Sequence, residues 1–184
     1  MVTAEEMLCE QVHRFDEQSL TEVYDRYSPE IYRYAARLLG ELDLAEECVA
    51  ETFSRFLLAL KNGGGPRQFL RAYLYRIAHN WVTDYYRRRL FCSLPLDAAL
   101  RAGSQEDPPL AVAEEMERHE IRLALAKLTP DQRQVIVLRY LEEWEYQDIS
   151  YALDKPVGAV KALQHRALNS LRRLLIWQEV EALG

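Results

Sequence analysis

Residues 69–89 read FLRAYLYRIAHNWVTDYYRRR. On a helix, Phe69, Tyr73, Arg76, Asn80, Thr83 and Arg87 share one arc of about 80°. Aromatic faces stack on any unpaired base, and guanidinium groups follow phosphate. An amide such as Asn80 adds hydrogen bonds to base edges. The chemistry this stripe suits is therefore recognition of an opened strand rather than bond making. Gly63, Gly64 and Gly65 lie just upstream, in a loop with room for a flipped base. Single residues here also have plainer readings: Tyr75 and Tyr86 as half-buried rings, Arg87-Arg88-Arg89 as a solvated helix end. The combination is what points to nucleic acid.

A second basic segment follows in QDISYALDKPVGAVKALQHR, residues 147–166. It reads as a short helix, a break and a longer helix. Helix-turn-helix units need a small residue inside the first helix, a residue tolerant of left-handed backbone at the turn, and a branched apolar residue inside the second. Those slots fall on Ser150, Asp154 and Val160, with Pro156 in the first turn of the second helix. The second helix divides sharply. Val160, Leu163, Ala167, Leu168, Leu171, Leu174 and Leu175 take one half, with Gln164 intruding. Lys161, Ala162, His165, Arg166, Asn169, Arg172 and Arg173 take the other. Arginine and lysine bond guanine edges or phosphates, and a small apolar side chain touches a thymine methyl. Such a helix enters the major groove by its N-terminal turns.

These two segments stand out because the chain as a whole is acidic. Its net charge is −6 over 184 residues. Arg67, Arg71, Arg76, Arg87, Arg88 and Arg89 oppose Asp84 alone in the first basic segment. Lys155, Lys161, Arg166, Arg172 and Arg173 oppose Asp154 alone in the second. Local cationic strips in an acidic chain mark phosphate-facing surfaces rather than a generally sticky protein. Nothing in the sequence pairs a nucleophile with a base, so binding and not catalysis is expected. His13, His79, His119 and His165 do not cluster with Cys9, Cys48 and Cys92 at zinc spacing, and no cofactor or metal is expected. The Gly63–Pro66 run lacks the lysine and hydroxyl of a phosphate-cradling loop. Odd in number and without a C-x-x-C pair, the cysteines read as free, mostly buried thiols. No apolar run approaches a membrane span, and the start lacks the pattern of a signal peptide, so a cytoplasmic location is expected.

Helices must position both strips. Helical periodicity runs through almost every segment without β-type alternation, so the fold expected is all-α: two small helical domains joined by a flexible linker, the second containing the helix-turn-helix. Residues 1–92 form the first domain, 93–111 the Pro- and Gly-containing linker, and 112–184 the second domain. In the first, Asp43 is placed to cap a helix with Glu46 completing a capping box. Val49, Phe53, Phe56, Leu57 and Leu60 face the core, and Glu51 and Arg55 pair on the outer side. In the second, Thr129, Pro130 and Gln132 make a strong helix start.

Taken in order, these pieces resemble the bacterial RNA polymerase sigma factors of the extracytoplasmic-function (ECF) group within the sigma-70 family. LTEVYDRYSPEIYRYAARLLG with DLAEECVAETF is similar to the start of that family's first domain. YLYRIAHNWVTDYYRRR resembles its promoter-melting helix. LTPDQRQVIVLRYLEEWEYQDISYAL with VGAVKALQHRAL resembles its second domain. Glu143, Glu145 and Asp154 stand where the family more commonly has turning or capping residues.

The resemblance implies that Glu46, Glu47, Val49, Ala50, Glu51 and Phe53 dock on the β′ clamp helices of core RNA polymerase. It implies that Phe69, Tyr73, Arg76, Asn80, Trp81, Asp84, Arg87 and Arg88 read and open the −10 element of promoter DNA. Lys155, Lys161, Ala162, His165 and Arg166 would read the −35 element as duplex, with the second domain near the β flap. An anti-sigma factor is a further partner that the resemblance admits. The rival readings are a free-standing helix-turn-helix regulator with a helical sensing domain, and a helical scaffold with no DNA role. The arginine–aromatic helix argues against the first, and both basic stripes argue against the second.

Overall fold

The computed structural model describes residues 4–92 and 120–182. Among them every regular element is helical. The first domain comprises α1 (Ala4–His13), α2 (Glu17–Leu39), α3 (Leu42–Lys61) and α4 (Leu70–Cys92). The second comprises α5 (residues 120–126), α6 (Pro130–Ile136), which runs on through a π-helical turn at Val137–Leu141, then α7 (Tyr146–Leu153) and α8 (Val157–Ala182). The linker expected at 93–111 lies outside the described residues, as do His119 and the side chains of Arg89, Cys92 and Leu175.

Helix ends follow local chemistry. Asp16 caps α2, its carboxylate accepting the Ser19 N–H at 2.9 Å and the Ser19 hydroxyl at 2.6 Å. Those two bonds hold the Asp16 carboxyl below the usual carboxylate range. Thr129 and Gln132 form the expected reciprocal capping box on α6. The cap expected at Asp43 does not form. α3 starts two residues earlier, with Glu41 at the cap position and no side-chain cap bond, and Asp43 instead puts its negative charge in the first turn, where the helix dipole favours it.

Val23, Tyr27, Ile31, Tyr34 and Leu38 of α2 meet Val49, Phe53, Phe56 and Leu60 of α3 and Leu70, Leu74, Tyr75, Ala78 and Val82 of α4 in one buried cluster. Leu57 is 41% exposed rather than in this core, because its Cβ points past the seam that Phe53, Phe56 and Leu60 fill. Tyr75 is buried outright, not half-buried. Cys9 and Cys48 are buried free thiols. Burial pushes the Cys48 thiol up to about 12 and, with the nearby Glu5 and Glu6 charges, the Cys9 thiol up to about 11.

In the second domain the turn works as its residues require. Asp154 sits at φ 53° and ψ 46°, in the left-handed region. The Ser150 hydroxyl donates to the Lys155 carbonyl at 2.6 Å and ties the turn shut. Val160 is wholly buried. Pro156 lies just before α8 rather than within its first turn, its carbonyl accepting the Val160 N–H at 3.1 Å. Glu143 also takes a left-handed backbone, φ 56°. Arg133 is 6% exposed, yet its guanidinium donates to the carbonyls of Leu125, Ala126 and Leu128 at 2.8, 3.0 and 3.3 Å, closing the C-terminus of α5.

The two domains are packed on one another. α7 lies against α4, and the buried cluster runs continuously from Leu8 to Ala167. Trp144, 2% exposed, meets the Tyr75 ring edge-on at 4.7 Å and lies under the Arg71 guanidinium at 4.5 Å.

Candidate nucleic-acid interface

The stripe expected to recognise an opened strand is built on α4 and the loop before it. Gly65 holds φ 100°, and a Cβ there would come within 2.8 Å of the Leu60 side chain, so the loop passes where only glycine fits. Phe69, the residue before α4, is left-handed at φ 56°. Asn80, Arg87 and Arg88 are exposed, while Phe69, Tyr73, Arg76 and Asp84 are half-buried. Arg87 forms an ion pair with Asp84, which spaces the basic end of the stripe. Trp81 is different. It is 4% exposed, belongs to the inner face, and lies parallel to Tyr85 at 5.9 Å. Its ring supports the helix from beneath and is not presented to a strand in this arrangement.

His79 lies under the same helix. Its two ring nitrogens hydrogen-bond with the Tyr34 hydroxyl at 2.9 Å and the Thr83 hydroxyl at 3.3 Å. Burial, followed by the charge of Arg133, brings its pKa down to about 4, so it is neutral at pH 7. Arg55 of α3 joins Asp84, Arg87 and Arg88 around an open cleft. It belongs to the basic end of this face, and its pairing with Glu51 at 2.7 Å is what made it look like an ordinary surface ion pair in the sequence.

On α8 the expected division is visible. Lys161, Ala162, His165, Arg166, Asn169, Arg172 and Arg173 are all exposed, and Val160 and Ala167 are buried. Leu168, at 37%, is the exception on the apolar half, while Leu163, Leu171 and Leu174 are partly covered. Gln164 has a reason to intrude there: it accepts from the Tyr146 hydroxyl and donates to the Tyr140 hydroxyl, both at 2.7 Å. Lys161 stands over the Tyr146 ring at 5.1 Å. Lys155 is half-buried and paired with Asp131 at 3.3 Å.

A third surface lies between α2 and α3. Glu46, Glu47 and Ala50 are exposed, Glu51 half-buried, and Val49 and Phe53 are 7% exposed each. Tyr24, Ser28 and Tyr32 of α2 line the same open groove with Glu46, Val49 and Ala50. Tyr24 leans on Phe53 at 4.8 Å and is 49% exposed. The α2 residues repeat every fourth position beside the buried Val23–Tyr27–Ile31 stripe, a signal readable in the sequence that went unread. Among the described residues no three metal-ligating side chains converge. His13 bonds the Cys9 carbonyl at 2.9 Å and not its thiol. No helix among them is long and apolar enough to cross a membrane.

Family models match both halves of this arrangement: sigma-70 region 2 over residues 23–90 and sigma-70 region 4 over residues 124–173. The ECF RNA polymerase sigma factor SigL of Mycobacterium tuberculosis is 30% identical over 83% of this chain and 86% of its own length. The chain belongs to the ECF sigma factors. It is thus a transcription-initiation factor and not an enzyme. SigW of Bacillus subtilis is 29% identical over 90% of this chain and 93% of its own. BldN of Streptomyces coelicolor is 29% identical over 91% of this chain, which spans 64% of that relative's length. Among solved structures, CnrH in complex with the cytosolic domain of CnrY shares the fold at a TM-score of 0.69 and 23% identity, over 94% of this chain and 97% of that one. RpoE of Bartonella quintana, solved with the anti-sigma factor NepR, shares it at 0.56 and 24%, over 86% and 95%. The α1 helix and the start of α2 precede the region 2 match.

Proposed function

We propose that this sigma factor gives core RNA polymerase its promoter choice through three surfaces. The α2–α3 groove, with Glu46, Glu47, Val49, Ala50, Glu51 and Phe53 extended by Tyr24, Ser28 and Tyr32, docks on the β′ clamp helices. The loop at 62–69 and the outer face of α4 hold the −10 element once it opens, through Phe69, Tyr73, Arg76, Asn80, Asp84, Arg87 and Arg88, with Trp81 as the support beneath. The α8 face of Lys161, Ala162, His165 and Arg166, with Lys155 at its edge, reads the −35 element as duplex, and the second domain meets the β flap. The functional units are residues 1–92 and 112–184, joined by 93–111. The protein works in the bacterial cytoplasm, where an anti-sigma factor is a further partner.

The observation that carries this reading is the difference between the two basic faces. One interleaves rings, an amide and arginines, as an unstacked strand requires. The other is a smooth exposed helix face with a small residue at its centre, as a major groove requires. The acidic remainder keeps affinity for bare DNA low until polymerase supplies the rest of the contact. Run-off transcription with purified core polymerase tests the proposal. Initiation should appear only when this chain is added. Equally tight, specific duplex binding with and without polymerase would favour the free-standing regulator instead.

A further inference from the structure

Phe69 is the one non-glycine residue of the 62–69 loop with a left-handed backbone. Such a conformation costs roughly 1–2 kcal/mol for a residue with a Cβ. What it positions is a ring: Phe69 lies against Tyr151 of α7 with centroids 3.4 Å apart and planes 16° from parallel. Protein rings favour offset or edge-on pairs with centroids about 4.5–7 Å apart. A close parallel pair is instead the geometry of neighbouring bases, spaced about 3.4 Å along a strand.

An arginine of the same α4 stripe is engaged by the same residue. Arg76 donates from Nη2 to the Tyr151 carbonyl at 3.1 Å. Further along the seam, Arg37 of α2 pairs with Glu142 and donates to the Leu141 carbonyl at 3.0 Å, and the Tyr75 hydroxyl donates to Glu142 at 3.3 Å. The α8 face with Lys161, His165 and Arg166 stays exposed throughout. Closure therefore covers part of one DNA face and leaves the other open.

We propose that Tyr151 is an intramolecular stand-in for an unstacked base on Phe69, so that the closed chain and single-stranded DNA compete for the same ring and the same arginine. The proposal rests on the reading of Phe69 and Arg76 as strand contacts and adds a self-masking step to it. Because closure and strand binding share groups, each weakens the other by the same factor. The seam is built to open. Arg76 Nε and Trp144 Nε1 are buried in it without a hydrogen-bond partner among the described residues, a standing cost that opening relieves.

Fluorescence anisotropy of a labelled single strand of about ten nucleotides, titrated with the full chain, tests this. Tyr151→Ala removes the competing ring. Arg37→Ala loosens the seam at its far end without touching Phe69, Arg76 or Tyr151. Each should bind the strand about tenfold more tightly than the wild type. Small-angle X-ray scattering should show a larger radius of gyration for both, with unchanged helicity by circular dichroism. Should Tyr151→Ala fail to fold, Arg37→Ala carries the test alone. Phe69→Ala, added to the open variant, should return binding to the wild-type level. Equal binding by wild type and both variants, with Phe69→Ala weakening all of them, would overturn the masking while leaving Phe69 as a base platform. No effect of Phe69→Ala in any background would remove the platform reading itself, and the masking with it.

Discussion

Arg166 reaches back to the Ala162 carbonyl at 3.3 Å and has no anionic protein partner among the described residues, so its charge is available to DNA. Arg166→Ala should lower affinity of the holoenzyme for promoters with an intact upstream element by roughly 1–3 kcal/mol and relax preference at one base pair, with assembly on core unchanged. Binding to upstream promoter mutants measures it. Asn80 is exposed and Trp81 buried on the same turn, and this separates two outcomes that the sequence lumps together. Asn80→Ala should slow open-complex formation, read by permanganate reactivity, with little change in melting temperature. Trp81→Ala should first cost stability, roughly 3–5 kcal/mol for a buried Trp truncation. His79 adds a pH dependence. Its folded pKa of about 4 lies below the unfolded value near 6.5, so the unfolded state takes up the proton first as pH falls. The stability it protects is whole above about pH 7 and declines toward pH 4, with about 2 kcal/mol lost by pH 5. Denaturant unfolding at both pH values should show this, and His79→Gln should flatten it.

α1 has a role that helix patterning does not reveal. Glu5 accepts the backbone N–H of Arg71 at 3.3 Å, in the first turn of α4 where donors are otherwise orphaned. Glu6 accepts from the Gln68 side-chain amide at 2.9 Å. Leu8, Cys9 and Val12 anchor α1 in the core, so these two carboxylates hold the end of the 62–69 loop and the start of α4, where the −10 contacts are proposed. Replacing both with glutamine keeps the size and removes the charge. The variant should melt promoters more slowly while binding core equally well, a split between the permanganate signal and co-purification. The helix-turn-helix behaves differently, because its turn is specified locally by Ser150, Asp154 and Val160.

In the whole molecule, one buried cluster joins two units that the family matches separately. The groove between α2 and α3, lined by Tyr24, Ser28, Tyr32, Glu46, Val49 and Ala50, shares no residue with the seam formed by Arg37, Tyr75, Trp144 and Tyr151. On the docking proposed above, core polymerase reaches this groove before the seam opens. Amides of α7 and of the Leu141–Glu145 turn should gain hydrogen exchange when core polymerase binds, whereas those in the centre of α3 should lose it. Mass-spectrometric exchange on the chain with and without core checks both signs.

Much of this was written in short-range pattern. Helical content, the Thr129 capping box, the left-handed Asp154 and the polarity of α8 each depend on residues within a turn or two of one another, so periodicity and residue type suffice to read them. The misreadings at Asp43 and Leu57 are of one kind: a helix start two residues early or a Cβ a few tens of degrees aside, set by the neighbour helix and not by the helix itself. The groove built by Tyr24, Ser28 and Tyr32 with α3, the Arg55 side of the basic cleft, and the stacking of Phe69 on Tyr151 join positions distant in the chain. Their approach follows from how helices fill the shared core, a long-range balance of burial and hydrogen bonding that no local spacing encodes.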